Sequence, residues 1–186
     1  MSCNFKMMLC FAIGCVFWHG WAQAGSAAGQ DSYREVKWEE LVPASWHPEK
    51  IFEKFDLSQF SDNDPRADKV LEAFNEAWRN APANPALQGQ RIKIPGFVVP
   101  LDWGHDARLG DFLLVPYFGA CIHVPPPPAN QIVYVRADDA PVGEGREVRL
   151  MDIVWVYGTI NVERNDSGGM GASSYSMKPD KVEPYQ

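Results

Sequence analysis

The residues best equipped for chemistry lie in FLLVPYFGACIHVPPPPANQ, from Phe112 to Gln131, where Cys121 and His123 are separated by a single isoleucine. Thiolate and imidazole are preferred zinc ligands. On an extended strand residues i and i+2 share a face, so the sequence predicts a thiol and an imidazole side by side. Two ligands do not hold a zinc ion. The remaining donors are His105, Asp102 and Asp106 in the turn 102–106, and His47 further back, so the candidate metal set is Cys121, His123 and His105. Competing readings use the same residues. A free cysteine behaves as a small buried hydrophobe, and its neighbouring imidazole would then need partners. A Cys121 nucleophile activated by His123 defines a thiol enzyme. Against it, two side chains spaced this way on one strand project in parallel, and neither an oxyanion loop nor an orienting acid is evident, so the chain is read as non-enzymatic. Met170 and Met177 add a faint copper signal, because thioethers suit Cu(I).

Four consecutive prolines, Pro125 to Pro128, follow the pair. They cannot donate to a β ladder and favour a stiff polyproline stretch, so they should end the strand and shape the loop that leaves it. With Tyr117 and Phe118 they also suit a rim that another protein recognises. Asn130 and Gln131 are placed to bond back onto that loop.

The elements that must position these groups are mostly strands. Asp64 as cap, Pro65 at the first helical position and Val70, Leu71, Phe74, Ala77 and Trp78 at helical spacing predict one helix from Pro65 to Asn80. Pro82 and Pro85 close it. Arg91 to Leu101 reads as one strand bent at Pro95-Gly96. Phe112 to Val115 with Gly119 to Val124, then Ile132 to Val135, make a second and third. Val148 to Leu150 with Ile153 to Val156, and Gly158 to Val162, make a fourth and fifth. Trp78 and Trp155 fall on core-facing patterns. Residues 165–172 read as a Gly/Ser linker before a final edge strand at Tyr175 to Met177. Upstream, residues from Val36 to Phe52 suit an arm laid across the domain rather than a core element. The expected fold is mainly β with one helix on its N-terminal side, a small OB-like β-barrel.

Lys6, the apolar run from Met7 to Trp18 and Ala22-Gln23-Ala24 predict a cleavable signal peptide over residues 1–24 and a periplasmic protein. Lipoprotein anchoring at Cys15 is the lesser alternative, because the apolar run continues past it. A flexible segment 25–35 and a single β-rich domain 36–186 follow. The run is too short to cross a membrane, so the mature chain is expected to lack a transmembrane segment. Removing the leader leaves 16 Lys and Arg against 24 Asp and Glu, a net charge of −8 that disfavours nucleic acid. It also leaves Cys121 as the sole cysteine, a thiol that an oxidising compartment tolerates when buried, metal-bound or reactive.

GFVVPLD at Gly96 to Asp102 and FLLVPYFGACIHVPPPPANQIVYV at Phe112 to Val135 resemble a family of bacterial exported proteins, many of them lipoproteins, of uncharacterised function. The likeness spans Leu87 to Ile160, and the stretch from Ser174-Tyr175 to Pro184-Tyr185 resembles the family's ending. It implies a periplasmic component encoded beside a MacB-like ABC transporter in zinc-responsive gene groups. Partners would be MacB-like transporter components or other periplasmic metal-binding proteins. Cys121 and His123 are the matching polar positions, whereas His105 falls in a variable turn. The leading expectation is a zinc-binding or zinc-homeostasis accessory protein of an ABC-transporter system. The alternative is a metal-free assembly module docking on an envelope transporter.

Overall fold

A computed structural model describes residues 32–55, 60–61, 64–101, 109–137 and 148–186. Its frame is a closed five-stranded barrel. An apolar alternation, Ile92, Ile94 and Val98, lies on β2 (Gln90–Pro100), and these inward side chains are fully buried. β2 pairs antiparallel with β3 (Phe112–Val115), and β3 with β4 (Val133–Val135). β5 (Ile153–Asp166) and β6 (Ala172–Pro184) form a long hairpin. The barrel closes because β4 runs parallel to β6 and β5 returns to β2, giving the order β2-β3-β4-β6-β5-β2. This is an OB-like strand arrangement, as the sequence predicted. A two-residue strand, β1 (Arg34–Glu35), lies parallel to the start of β2.

Next to the Pro95-Gly96 position where a bend was expected, β2 changes partners. Its first eight residues, Gln90 to Phe97, pair with β5 and its last four, Phe97 to Pro100, with β3, so one strand serves two parts of the barrel wall. Gly96 permits this because a Cβ there would stand 2.7 Å from Leu114 Cγ and 3.0 Å from Trp38. Trp38 is fixed in turn by its indole N–H, which donates to the Pro95 carbonyl at 2.8 Å.

Helix α2 (Pro65–Arg79) starts with Asp64 accepting from the Arg66 amide at 2.9 Å, and it ends one residue before the predicted boundary. Only Val70 is buried in it, and Leu71 is 57% exposed. Its aromatic edge packs on a short helix α1 (Lys50–Glu53) through stacked Phe52 and Phe74, and Trp78 meets Trp46. No helix among the described residues is long and apolar enough to cross a membrane.

Several expectations are corrected. Residues 36–41 are no surface arm, since Val36 and Leu41 are fully buried in the main core. The order begins before Val36, with Arg34 and Glu35 already paired to β2. The fourth and fifth strands are one, β5 running through Gly158, while residues 148–150 lie outside any strand. The segment 165–172 is no linker: Asn165, Asp166 and Ala172 are paired strand residues, and the hairpin turn between them, 167–171, holds a single 3-10 turn at Gly168–Met170. The final strand is central, pairing with β4 on one side and β5 on the other. Trp155 is partly exposed on the outer wall, because it alternates with the inward Val154 and Val156.

Candidate functional site: the Cys121 loop

Between β3 and β4 the chain leaves the barrel and folds back over the wall it has just formed. The inward side of β3, Phe112 and Leu114, joins the main core, whereas Leu113 and Val115 face outward. These outward residues are nonetheless fully buried. Together with Val99, Ala120 and Ile132 they make a second, smaller apolar cluster on the outside of the barrel, roofed by the 117–132 loop. Leu101, Cys121, Met151 and Met170 pack against it.

The roof is a tight turn, and this overturns the strand geometry expected for Cys121 and His123. The Gly119 carbonyl accepts from three amides, Ile122 at 3.2 Å, His123 at 2.9 Å and Val124 at 3.2 Å. Cys121 itself has φ +66°, in the left-handed region. Alternation of side chains between two faces therefore does not apply. Cys121 is half-buried against the apolar cluster, while His123 is exposed. Met151 has φ +65°, and the two are the only non-glycine residues with positive φ among the described residues. The Met151 sulfur accepts from the Gly119 amide at 3.2 Å, which ties the second strained residue to the turn of the first. Such conformations cost about 1–3 kcal/mol each and persist where the surroundings over-determine them.

Burial pushes the Cys121 thiol up to about 11. At neutral pH it is protonated, so it offers little thiolate to a metal or an electrophile until something displaces the proton. His123 contributes an exposed imidazole on the same turn. Among the described residues no three His, Cys, Asp or Glu side chains gather as a metal set. His105, Asp102, Trp103 and Asp106 lie outside the described residues, although Leu101 at the start of their turn packs against the same apolar cluster as Cys121. His47 is engaged elsewhere, 3.1 Å from Glu49. Met177 is fully buried in the main core, apart from Met170.

The prolines stop no strand, because β3 already ends at Val115, but they do shape the loop as expected. Pro127 and Pro128 are buried, and the Pro126 carbonyl accepts the Trp78 indole N–H at 3.1 Å, which pins helix α2 to the loop. Asn130 is fully buried and donates 3.1 Å to the Pro82 carbonyl, so it reaches the segment after α2 rather than its own loop. What composition did not reveal is the face the loop presents. Tyr117, Phe118, Ile122 and Val124 are 42%, 66%, 40% and 44% exposed, four large apolar side chains within eight residues. The signal was present as a YFGACIHV string, but read as a strand it should have hidden half of them.

The geometry can be set beside known proteins. A family model described as "Protein of unknown function (DUF3299)" matches residues 38–184. The crystal structure of a DUF3299 family protein from Pseudomonas aeruginosa is similar at 37% identity, covering 83% of this chain and 97% of that one, with a TM-score of 0.61. A search of the curated proteins gave no match.

Proposed function

The chain belongs to the DUF3299 family, and from that premise and the shape of the Cys121 loop we propose that it is an exported docking module of an ABC-transporter system. The Tyr117 to Pro128 rim seats on a periplasmic part of a MacB-like transporter. One observation carries the reading: four large apolar side chains stay in water on a turn that backbone bonds and prolines hold rigid. A rigid apolar projection loses little conformational entropy on docking. Burying a side chain as exposed as Phe118 contributes about 2 kcal/mol. The test is capture of the transporter's periplasmic domain by wild type and by Phe118→Ser, each with and without chelator. Wild type should bind regardless of chelator, and the variant should lose most of the complex. Equal capture by both proteins sinks the proposal.

A second reading is favoured by the presence of thiol and imidazole on one six-residue turn. Here Cys121 and His123 bind zinc, with His105 as the third ligand. The residues fit in part: the donor types suit zinc, but two of them complete only half of a tetrahedral site. Both ligands must be deprotonated, so affinity should fall as pH drops. A thiol held at about 11 makes that fall continue through the whole neutral range. Zinc titration of wild type, Cys121→Ser, His123→Ala and His105→Ala checks this, and equal binding by all four refutes the site.

A further inference from the structure

Beyond Phe97, whose ring meets Phe118 of the Cys121 loop edge-on at 6.0 Å, β2, β5 and β6 present a different outer surface. Their inward residues alternate with outward ones, and the register sets Lys93 opposite Tyr157, Pro95 opposite Trp155, and Trp155 and Tyr157 opposite Glu183 and Lys181. The result is an array of rings. Tyr185 stacks on Trp155 at 5.5 Å, and Tyr33 meets Tyr157 edge-on at 5.3 Å. Cations lie over these rings: Lys93 Nζ is 4.6 Å from the Trp155 ring, Lys181 Nζ 4.4 Å from Tyr157, and the Arg91 guanidinium 4.7 Å from Tyr33. Each cation also has a carboxylate, Lys93 with Glu35, Lys181 with Glu183 and Arg91 with Asp180. The surface is therefore aromatic and charge-balanced.

We propose that this outer face of β2, β5 and β6 binds a neutral oligosaccharide. Sugar rings present apolar C–H faces edged by hydroxyls. The C–H groups carry partial positive charge, so they can take the place of a flexible ammonium over a ring at a cost of one exposed cation–π contact. The carboxylate that the displaced ammonium leaves, Glu35 beside Lys93, then accepts from the hydroxyls. On such a face charge separates a neutral sugar from an oligonucleotide. Three cations matched by three carboxylates give a polyanion no net attraction, and the chain's formal charge of −7 repels it. From Arg91 to Pro95 the face runs roughly 13 Å along the strand, a length suited to a short oligomer rather than a monosaccharide.

Isothermal titration of the mature protein with chitotetraose, a neutral β-1,4 oligosaccharide, tests the proposal. Wild type should bind saturably, and Trp155→Ala should bind about tenfold more weakly. Lys93→Ala should bind about two- to fivefold more tightly, because it removes the group that competes for the Trp155 ring. That variant keeps the ring array and so carries the test even if Trp155→Ala does not fold. No saturable binding to wild type overturns the proposal. So does equal affinity of wild type and Lys93→Ala, or tighter binding of oligo-dT than of the sugar.

Discussion

Cys121 has one flank against Val115, Ala120 and their neighbours on the outside of the barrel, and that desolvation raises its thiol from an ordinary 9.0 to about 11. The reactive species is the thiolate, so at pH 8 its supply is about a hundredfold below that of an exposed cysteine. Alkylation by iodoacetamide at pH 8 should accordingly be about a hundredfold slower in the folded protein than in guanidinium. Rapid modification of the folded chain would show that the thiol is not held this way. That Cys121 is the one cysteine beyond residue 15 was legible in the sequence. Its relation to His123 was not, because the left-handed conformation that turns the two apart follows from the Gly119 carbonyl collecting three amides, a local bonding choice with no periodic signature.

At the level of elements, short-range signals were read best. The Asp64 cap and Pro65 located helix α2 to within a residue, and the strand read from Arg91 to Leu101 is β2, which changes partners at Phe97, next to Pro95-Gly96. The apolar run from Ile153 to Val162 looked like two strands because Gly158 interrupts it. In the folded protein β5 passes straight through, and the register with β6 shifts between Tyr157 and Gly158. A Cβ on Gly158 would collide with the Lys178 carbonyl oxygen and stand 2.9 Å from Pro179 Cα, both backbone atoms that cannot swing aside. Gly158→Ala should thus destabilise the barrel by about 3 kcal/mol, seen as a lower urea midpoint at unchanged slope. A loss below about 1 kcal/mol would mean the two strands separate easily. The hairpin turn at 168–170 escaped the sequence reading for the opposite reason. Glycine and serine there signalled a linker, but β6 beyond it pairs along its length with β5 and, at Tyr175 to Met177, with β4 as well.

The whole molecule ties its upstream segments to the barrel through Tyr175, whose hydroxyl donates to the Leu41 carbonyl at 2.6 Å and accepts from the Asn84 amide at 2.5 Å. Burial raises this phenol to about 12, as it raises Cys121 to about 11. Both groups keep protons in the folded state that the unfolded chain releases earlier, so their stabilisation is complete below about pH 9 and is lost as pH rises toward 12. Glu163 works in the other direction. Hydrogen bonds from Arg136 and Ser176 lower it to about 2, so its contribution is present above its ordinary 4.5 and disappears as pH falls through 2. Thermal melts should show a plateau between these limits and a decline on each side, with Glu163→Gln softening the acid limb. A melting temperature that climbs above pH 9 would contradict the alkaline half. By itself the sequence determined the class of the molecule, its acidic balance, its capped helix, its first long strand and its one cysteine beyond residue 15, because caps, alternation and composition act over a few residues. Only the tertiary structure decided that β6 is central, that Trp155 joins an outer aromatic array and that the Cys121 loop shows an apolar face to water. Those outcomes depend on which strands close the barrel, and closure is set by pairings up to about seventy residues apart along the chain, such as Ile92 with Gly158.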